Sequence, residues 1–405
     1  MAETVETLKA KAVEATGLRD FGEDWFEQPL AAWVKDLAGP SLKESGRAFL
    51  ARLAVTNLLR RLEVIDWCNR HPEIDDVAIP PILYITGLER SGTTLLHNLL
   101  ALHPKSRSLL RWELMRPAPP PEASTYRTDP RIAEVQASVD RLRGTLLERM
   151  HWVNADEPEE CTWGALDCTG LLGRSAVMLM PTWSRWLEDN DLRPSFQEYR
   201  RLIKLIIWRN PPPQGGHLAL KCPQNSRNIG QFSEVFPEAQ FVFTHRDPFR
   251  TCTSVCALAS HITAPLSAQE DVWRPNGSAV KDAVRFMERG MTQMMAFDHA
   301  ASRVAHVAYP ELVRDPIPVV ESVYERLGVD APNDLASSVG GYQAASAGKR
   351  AAPPNELPTF GLDHVAFLAR PVVESYCKRF GVEPEAARLT GILQEGRSGI
   401  RPTAT

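Results

Sequence analysis

Apolar side chains recur at helical spacing over about the first 75 residues of the chain. The positions that set this period are Leu50, Leu53, Leu58, Leu62 and Ile65. Charged residues, among them Arg60 and Arg61, lie between them. This pattern predicts an amphipathic helix that packs its apolar stripe on a larger body. We therefore interpret residues 1–78 as a helical N-terminal extension.

The pattern changes after Pro80 and Pro81, which end the helical region because proline cannot donate a backbone hydrogen bond. Residues 82–86 are a short apolar run, typical of a strand that is buried on both faces. A loop follows over residues 87–94, and helical spacing resumes over residues 95–102. The sequence therefore predicts a strand, a loop and a helix in succession.

Three later segments, 218–220, 240–244 and 304–309, also have the apolar character of short strands. Helical stretches separate the four predicted strands, and those at 131–150 and 170–208 lie between the first and the second strand. This alternation predicts an α/β fold with a parallel sheet covered by helices on both faces.

The final segment, from about residue 331, is polar at first and becomes helical after Leu362. We interpret residues 331–405 as a C-terminal cap segment of the same domain. Residues 79–330 then form the core of that domain, which is a usual size for a single α/β domain.

Composition narrows the class of protein. The 405 residues are 43% hydrophobic and 24% charged, as in ordinary globular proteins, and the net charge of −4 argues against a nucleic-acid partner. We find neither an integral membrane segment nor an apolar signal core, so we expect a cytoplasmic protein. Seven scattered cysteines without a CxxC pair predict no disulfide framework and no metal site.

The loop over residues 87–94 reads GLERSGTT and combines features of an anion-binding site. Gly87 and Gly92 suit a tight loop whose backbone N–H groups can approach an anion. The helix that follows adds the partial positive charge of its N-terminus. The loop also carries a cationic side chain and three hydroxyls, on Arg90, Ser91, Thr93 and Thr94.

The loop is similar to a Walker A loop, but Thr93 stands where that loop has lysine. The Walker lysine contacts the β- and γ-phosphates of a nucleoside triphosphate, so its replacement argues against ATP or GTP hydrolysis. The cation is instead Arg90, which precedes the second glycine.

A second candidate anion site lies at the end of the strand over residues 240–244. Arg246 follows this strand, and Ser254 comes eight residues later, on the next predicted helix. Ligands of open α/β sheets bind beyond the carboxyl ends of the strands, where an arginine and a serine could hold a terminal phosphate. Alternatively, Arg246 pairs with Asp247 or with another acidic residue.

Together these two motifs resemble those of sulfotransferases that use 3′-phosphoadenosine 5′-phosphosulfate (PAPS). Residues 87–97 are similar to the 5′-phosphosulfate loop of the bacterial, P-loop-fold branch, although many relatives have proline in place of Glu89. Residues 236–248 with Ser254 are similar to the 3′-phosphate motif. Similar segments elsewhere, at residues 71–74, 309–316 and 359–381, extend the resemblance over nearly the whole chain.

The resemblance implies an enzyme that transfers a sulfuryl group from PAPS to a hydroxyl or an amine of a small-molecule, sugar or lipid acceptor, without a metal. Arg90 would stabilise the sulfuryl group and the leaving phosphate. Lys221, at the end of the second predicted strand, would reach the bridging oxygen or the acceptor, or else lie in solvent. The residues implied in PAPS binding are Gly87, Arg90, Ser91, Gly92, Thr93, Thr94, Arg246 and Ser254.

Transfer to a hydroxyl benefits from a general base. Glu113 is our first candidate, because some carbohydrate sulfotransferases carry a catalytic glutamate at a similar place. A salt bridge from Glu113 to Arg111 or Arg116 is the alternative interpretation.

Two further residues stay open as the base, in a polar cluster that is similar to a segment of the bacterial branch. They are His151 and Glu160. Many relatives have a histidine base where this chain has Asn225, which cannot accept a proton near neutral pH. Tryptophans of the same region, including Trp163, could line an apolar acceptor pocket.

Two other functions remain open from the sequence. A small-molecule kinase needs the same loop and helix, and a non-catalytic nucleotide-binding protein could retain the fold. Sterols, phenols, sugars and lipid alcohols are all compatible acceptors.

Overall fold

The computed structural model describes residues 3–145, 148, 152–165, 179–269, 271–275, 277–300, 304–347 and 359–385. The strands are β1 (Ile82–Gly87), β2 (Ser106–Ser108), β3 (His217–Lys221), β4 (Ala239–His245) and β5 (Val304–Ala308). The helices before β3 are α1 (Val5–Thr16), α2 (Glu27–Leu37), α3 (Glu44–Arg70), α4 (Thr93–Leu100), α5 (Arg111–Met115), α6 (Pro130–Asp140), α7 (Pro181–Asp189) and α8 (Arg193–Ile207). The helices after β3 are α9 (Ile229–Val235), α10 (Pro248–Thr263), α11 (Ser278–Ala300), α12 (Tyr309–Arg314), α13 (Pro316–Leu327), α14 (Leu335–Ser346), α15 (His364–Leu368) and α16 (Pro371–Phe380).

The strands form one parallel sheet in the order β2–β3–β1–β4–β5. Alternate residues of β1 enter two different cores. Ile82 and Tyr84 pack with α3, α8 and α11, whereas Leu83 and Ile85 pack with α4, α13 and α14. Burial on both faces explains the uninterrupted apolar run of β1 and confirms the predicted α/β fold.

Three details differ from the sequence prediction. The edge strand β2 was missed, because its three residues (Ser-Arg-Ser) carry no apolar pattern. Helix α14 lies in a segment that we interpreted as polar. Helix α6 ends at Asp140, short of the predicted 131–150 stretch, of which residues 146, 147, 149 and 150 lie outside the described part of the chain.

Two of the arginines that we placed between the apolar positions of the N-terminal helix, Arg60 and Arg61, are buried, whereas Arg52 is exposed. Arg61 of α3 is fully buried, stacks on Phe26 at 4.1 Å and donates to Glu198 at 2.6 Å. Arg60 donates to the carbonyl oxygen of Leu114 at 3.0 Å. Helix α3 is therefore fixed to the rest of the fold by buried polar contacts as well as by apolar packing. Within the described ranges, no helix is long and apolar enough to cross a membrane.

Folding should depend on pH through His97, which is fully buried on α4 and donates from Nε2 to the carbonyl oxygen of Ala219 on β3 at 2.9 Å. Burial, with Lys221 nearby, lowers the pKa of His97 from 6.5 to about 3. Between these values only the unfolded chain takes up a proton at this site. The contribution of His97 to stability is therefore complete above pH 6.5 and is lost progressively as the pH falls towards 3.

Between pH 8 and pH 5, we expect the free energy of unfolding to fall more in the wild type than in His97→Gln. The difference between the two falls should be about 2 kcal/mol. Urea denaturation at both pH values measures this difference. His261→Gln changes an exposed histidine and serves as the control. An equal fall in wild type and His97→Gln would contradict the assignment of a neutral buried His97.

Candidate active site

Three neighbouring strands bring the predicted residues to one edge of the sheet. Strand β1 ends at Gly87 and leads into the predicted anion loop, β4 ends just before Arg246, and β3 ends at Lys221. Gly87 is paired with Thr244 in the parallel register of β1 and β4. The two predicted anion sites are thus on adjacent strands.

The two loop glycines stand where a side chain would not fit. Gly87 has φ +151°, and a Cβ there would lie 2.6 Å from the carbonyl oxygen of Thr244. Gly92 has φ +94°, and a Cβ there would lie 2.5 Å from the ring of Tyr309. Arg90 also has a left-handed backbone, with φ +70°. The loop is therefore a tight, strained turn between β1 and α4.

Ser91 braces this loop from within. It is fully buried, and its hydroxyl lies 2.5 Å from the carbonyl oxygen of Leu88 and 2.6 Å from the hydroxyl of Thr244. A direct bond from this hydroxyl to a ligand, which the sequence predicts, would have to replace one of these contacts.

Helix α4 begins immediately after the loop, so the N–H groups of its first turn have no partner within the helix. Thr93 is buried and Thr94 is half-buried at this end. The hydroxyl of Thr94 accepts a hydrogen bond from the ammonium group of Lys221 at 3.3 Å. The N-terminus of α4 thus meets the end of β3 as well as the loop.

Arg90 and Arg246 are close together. The Nε of Arg90 donates to the hydroxyl of Ser254 at 3.1 Å, and Nη1 of Arg246 donates to the carbonyl oxygen of Arg90 at 3.2 Å. Burial first, and the charge of Arg246 second, lower the pKa of Arg90. Two neighbouring guanidinium groups that repel each other favour an anion as their shared partner.

Arg246 pairs with a residue from far along the chain, and not with its neighbour. Its Nε and Nη2 donate to the two carboxylate oxygens of Glu385, at 2.7 and 3.1 Å. Asp247 instead caps α10 by accepting from the backbone N–H of Phe249 at 2.8 Å. The ring of Tyr309 lies under the Arg246 guanidinium at 4.1 Å. The alternative of a pair with Asp247 was therefore wrong, whereas that of a pair with another acidic residue is confirmed.

Lys221 is 1% exposed, so the interpretation as a solvated strand-end lysine was wrong. Its ammonium group forms an ion pair with Glu160 at 2.6 Å. Glu160 comes from the 152–165 segment and forms a parallel bridge with Lys221. Because Lys221 also contacts Thr94, the carboxylate of Glu160 is held close to the loop over residues 87–94.

Glu113 has different surroundings. It is fully buried, and its carboxylate accepts from Arg107, from the hydroxyl of Tyr126 at 3.1 Å and from the backbone N–H of Leu110 at 2.8 Å. Burial alone would lower the pKa of Arg107, but the charge of Glu113 raises it. These contacts favour the ion-pair interpretation, with Arg107 as the partner in place of Arg111 or Arg116.

The remaining predicted residues have mixed outcomes. Asn225 is buried and donates to the hydroxyl of Tyr84 at 2.7 Å. His151 lies outside the described residues. Glu89, which stands where relatives have proline, forms an ion pair with Arg227, so its negative charge is neutralised beside the loop. No group of three or more His, Cys, Asp or Glu that could hold a metal ion occurs among the described residues.

The chain is similar to known proteins of one family. A family model described as "Sulfotransferase family" matches residues 81–333. Two curated relatives are the omega-hydroxy-beta-dihydromenaquinone-9 sulfotransferases Stf3 of Mycobacterium bovis and Mycobacterium tuberculosis. Each is 24% identical over 262 residues, which are 62% of this chain and 64% of the relative. The match thus spans less than two thirds of the length of these relatives.

Two solved structures have similar folds. Sulfotransferase STF9 from Mycobacterium avium is 27% identical, with a TM-score of 0.84. Sulfotransferase STF1 from Mycobacterium tuberculosis H37Rv is 24% identical, with a TM-score of 0.77. Each comparison covers 94% of this chain and 98% of the other. The predicted P-loop-type fold is confirmed.

The contacts of Glu113 predict a structural role that denaturation can measure. Glu113→Ala leaves Arg107 as a buried cation without its partner, so we expect a loss of about 3 kcal/mol or more in the free energy of unfolding. Glu134→Ala removes a partner of Arg116 in an exposed pair and should cost at most about 1 kcal/mol. Equal losses in the two variants would contradict the structural role.

Proposed function

The chain belongs to the sulfotransferase family, and on that premise we propose that it transfers a sulfuryl group from PAPS to a hydroxyl or an amine of an acceptor. The observation that supports this most is the pair of anion-binding elements on the adjacent strands β1 and β4, joined by the Arg246 to Arg90 contact. PAPS has two separate anionic groups, and each element suits one of them.

Our assignment of the donor-binding residues follows this division. The N-terminus of α4, with Thr93 and Thr94, binds the 5′-phosphate, and Arg90 stabilises the negative charge that spreads over the sulfuryl group. Arg246 and Ser254 bind the 3′-phosphate. Gly87, Ser91 and Gly92 give the loop its shape, by the absence of side chains or by the internal hydroxyl bonds.

In the transfer step, the acceptor oxygen attacks the sulfur in line with the bond to the 5′-phosphate oxygen. That bond breaks and releases 3′-phosphoadenosine 5′-phosphate (PAP), while the acceptor proton passes to a base. Lys221 stabilises the leaving or attacking oxygen with its positive charge. The buried position of Lys221 beside Thr94 supports this role.

We propose Glu160 as that base, in preference to Glu113. Glu160 contacts Lys221 near the loop over residues 87–94. Glu113 instead contacts Arg107, Leu110 and Tyr126, around α5. A base must be within hydrogen-bond reach of the proton that it accepts. Of these two glutamates, Glu160 is the one that lies beside Lys221, which in turn contacts Thr94. We make no comparison with His151, the third candidate for the base, because it lies outside the described part of the chain.

We propose a lipid as the acceptor, since the names of the two Stf3 relatives specify a hydroxylated menaquinone. Half-buried Trp163 lies in the same turn as Glu160, because its backbone N–H donates to the carbonyl oxygen of Glu160 at 3.0 Å, and it supplies an aromatic side chain to this segment. Arg111 stacks on its ring at 3.7 Å.

Donor binding is tested by thermal unfolding with PAP, compared with ATP and Mg²⁺. PAP at 100 times its Kd should stabilise the protein by about 2.7 kcal/mol. At the same PAP concentration, Arg246→Ala should lower this stabilisation by about half or more, and Arg314→Ala, at an exposed arginine of α12, should retain it. Stabilisation by ATP and Mg²⁺ alone would contradict the proposal and favour a kinase.

The base is tested by transfer of labelled sulfate from PAPS to a panel of hydroxylated quinones, isoprenoid alcohols and phenols. Glu160→Gln should lower kcat about 10²- to 10⁴-fold, because the proton acceptor is lost. The amide oxygen of glutamine can still accept a hydrogen bond from Lys221, so we expect the variant still to bind PAP. Asp156→Asn, at an exposed position of the same segment, should leave kcat unchanged. An unaltered kcat in Glu160→Gln would exclude Glu160 as the base.

A further inference from the structure

The C-terminal segment that follows α16 returns to the edge of the sheet where β4 ends. Helix α16 is anchored there, because the hydroxyl of Tyr376 bonds to Nδ1 of His245, the last residue of β4, at 2.7 Å. Gly381 then ends the helix with φ +63°, a left-handed conformation that turns the chain. Four residues later, Glu385 reaches the start of α10.

Two polar contacts fix the position of Glu385. Its backbone N–H donates to the carboxylate of Asp247 at 2.7 Å, and its own carboxylate accepts two parallel bonds from Arg246. The Nε of Arg250, in the first turn of α10, lies 3.8 Å from the same carboxylate. The carboxylate of Glu385 thus lies between two guanidinium groups.

The contacts leave little of Arg246 for another anion. The Nε–Nη2 edge of a guanidinium is the side that holds an oxyanion with two parallel bonds, and here both nitrogens donate to Glu385. The third nitrogen, Nη1, donates to the carbonyl oxygen of Arg90. A 3′-phosphate cannot take the bidentate position on Arg246 while the carboxylate of Glu385 is there.

We propose that Glu385 is an internal competitor of the donor: its carboxylate occupies the 3′-phosphate site in the free protein, and PAPS must displace it to bind. This inference rests on the proposed function. After displacement, Arg246 and Arg250 are both available, so Arg250 becomes a further residue of the 3′-phosphate site. A phosphate dianion gains more than a carboxylate from two guanidinium groups, and this difference drives the exchange.

The competition has a measurable consequence. A protein whose binding-competent state is a fraction of the population binds its ligand more weakly by that fraction. Removing the charge of Glu385 should therefore strengthen binding of ligands that have a 3′-phosphate. Ligands that have only a 5′-phosphate bind at the loop and α4, and their affinity should not change.

The alternative is that Glu385 holds Arg246 in the orientation that the donor needs. Removing its charge would then weaken PAP binding, because Arg246 would lose its orientation. The two roles therefore predict opposite changes in the affinity for PAP when the charge of Glu385 is removed.

Isothermal titration of the full chain distinguishes them. We expect Glu385→Gln to bind PAP roughly 3- to 10-fold more tightly than the wild type, the range for a partly exposed but bidentate pair. The affinity for adenosine 5′-phosphate should be the same in both proteins. Glu374→Gln, which removes an exposed carboxylate of α16, is the matched control and should bind PAP like the wild type.

Other results of these titrations would show whether the competitor role alone is wrong or the proposed function as well. If the wild type binds PAP and Glu385→Gln binds it equally or more weakly, the competitor role is wrong and the donor site stands. A gain for adenosine 5′-phosphate as large as that for PAP would also overturn the role, since the effect would not concern the 3′-phosphate. If neither protein binds PAP, both the competitor role and the proposed function are wrong.

Discussion

The parallel pairing of β1 with β4 is the constraint on which the candidate active site depends. The register that pairs Gly87 with Thr244 places the start of the loop over residues 87–94 beside the end of β4. Adjacent strands lie about 4.8 Å apart, so the loop and Arg246 are neighbours although some 150 residues separate them in sequence. Gly87 is needed at this point, because a Cβ would collide with Thr244. The positions of the loop and of Arg246 are thus fixed by the register of the sheet.

Buried charge pairs organise the surroundings of this site. Arg107 with Glu113 fixes α5 to the edge strand β2, and Lys221 with Glu160 joins the end of β3 to the 152–165 segment. Such pairs add little net stability, but loss of one partner is costly, so they hold the chain in one arrangement. At the loop over residues 87–94 the balance differs, since the guanidinium groups of Arg90 and Arg246 lie together, and among the described carboxylates it is Glu385 that pairs with Arg246. A site with surplus positive charge is suited to an anionic ligand.

The sequence predicted the parts of the fold that follow from local patterns. Strand β1 is a continuous apolar run, β4 has an apolar centre, and the segment between β1 and α4 has a recognisable glycine spacing, so these strands and the loop could be predicted. The three-residue strand β2 could not, because edge strands need no apolar pattern. Contacts between distant segments were also beyond prediction. Nothing near Arg246 in sequence indicates Glu385, and nothing near Glu113 distinguishes Arg107 from the other arginines as its partner.

The two-part donor site is tested most directly by comparing PAP with its two monophosphates, adenosine 5′-phosphate and adenosine 3′-phosphate, in isothermal titrations of the wild-type protein. If one phosphate binds at α4 and the other at Arg246, removal of either should weaken binding about tenfold or more, since each loses charge-assisted hydrogen bonds. If adenosine 5′-phosphate instead binds as tightly as PAP, the site at Arg246 does not hold the 3′-phosphate, and the account of the donor site is wrong.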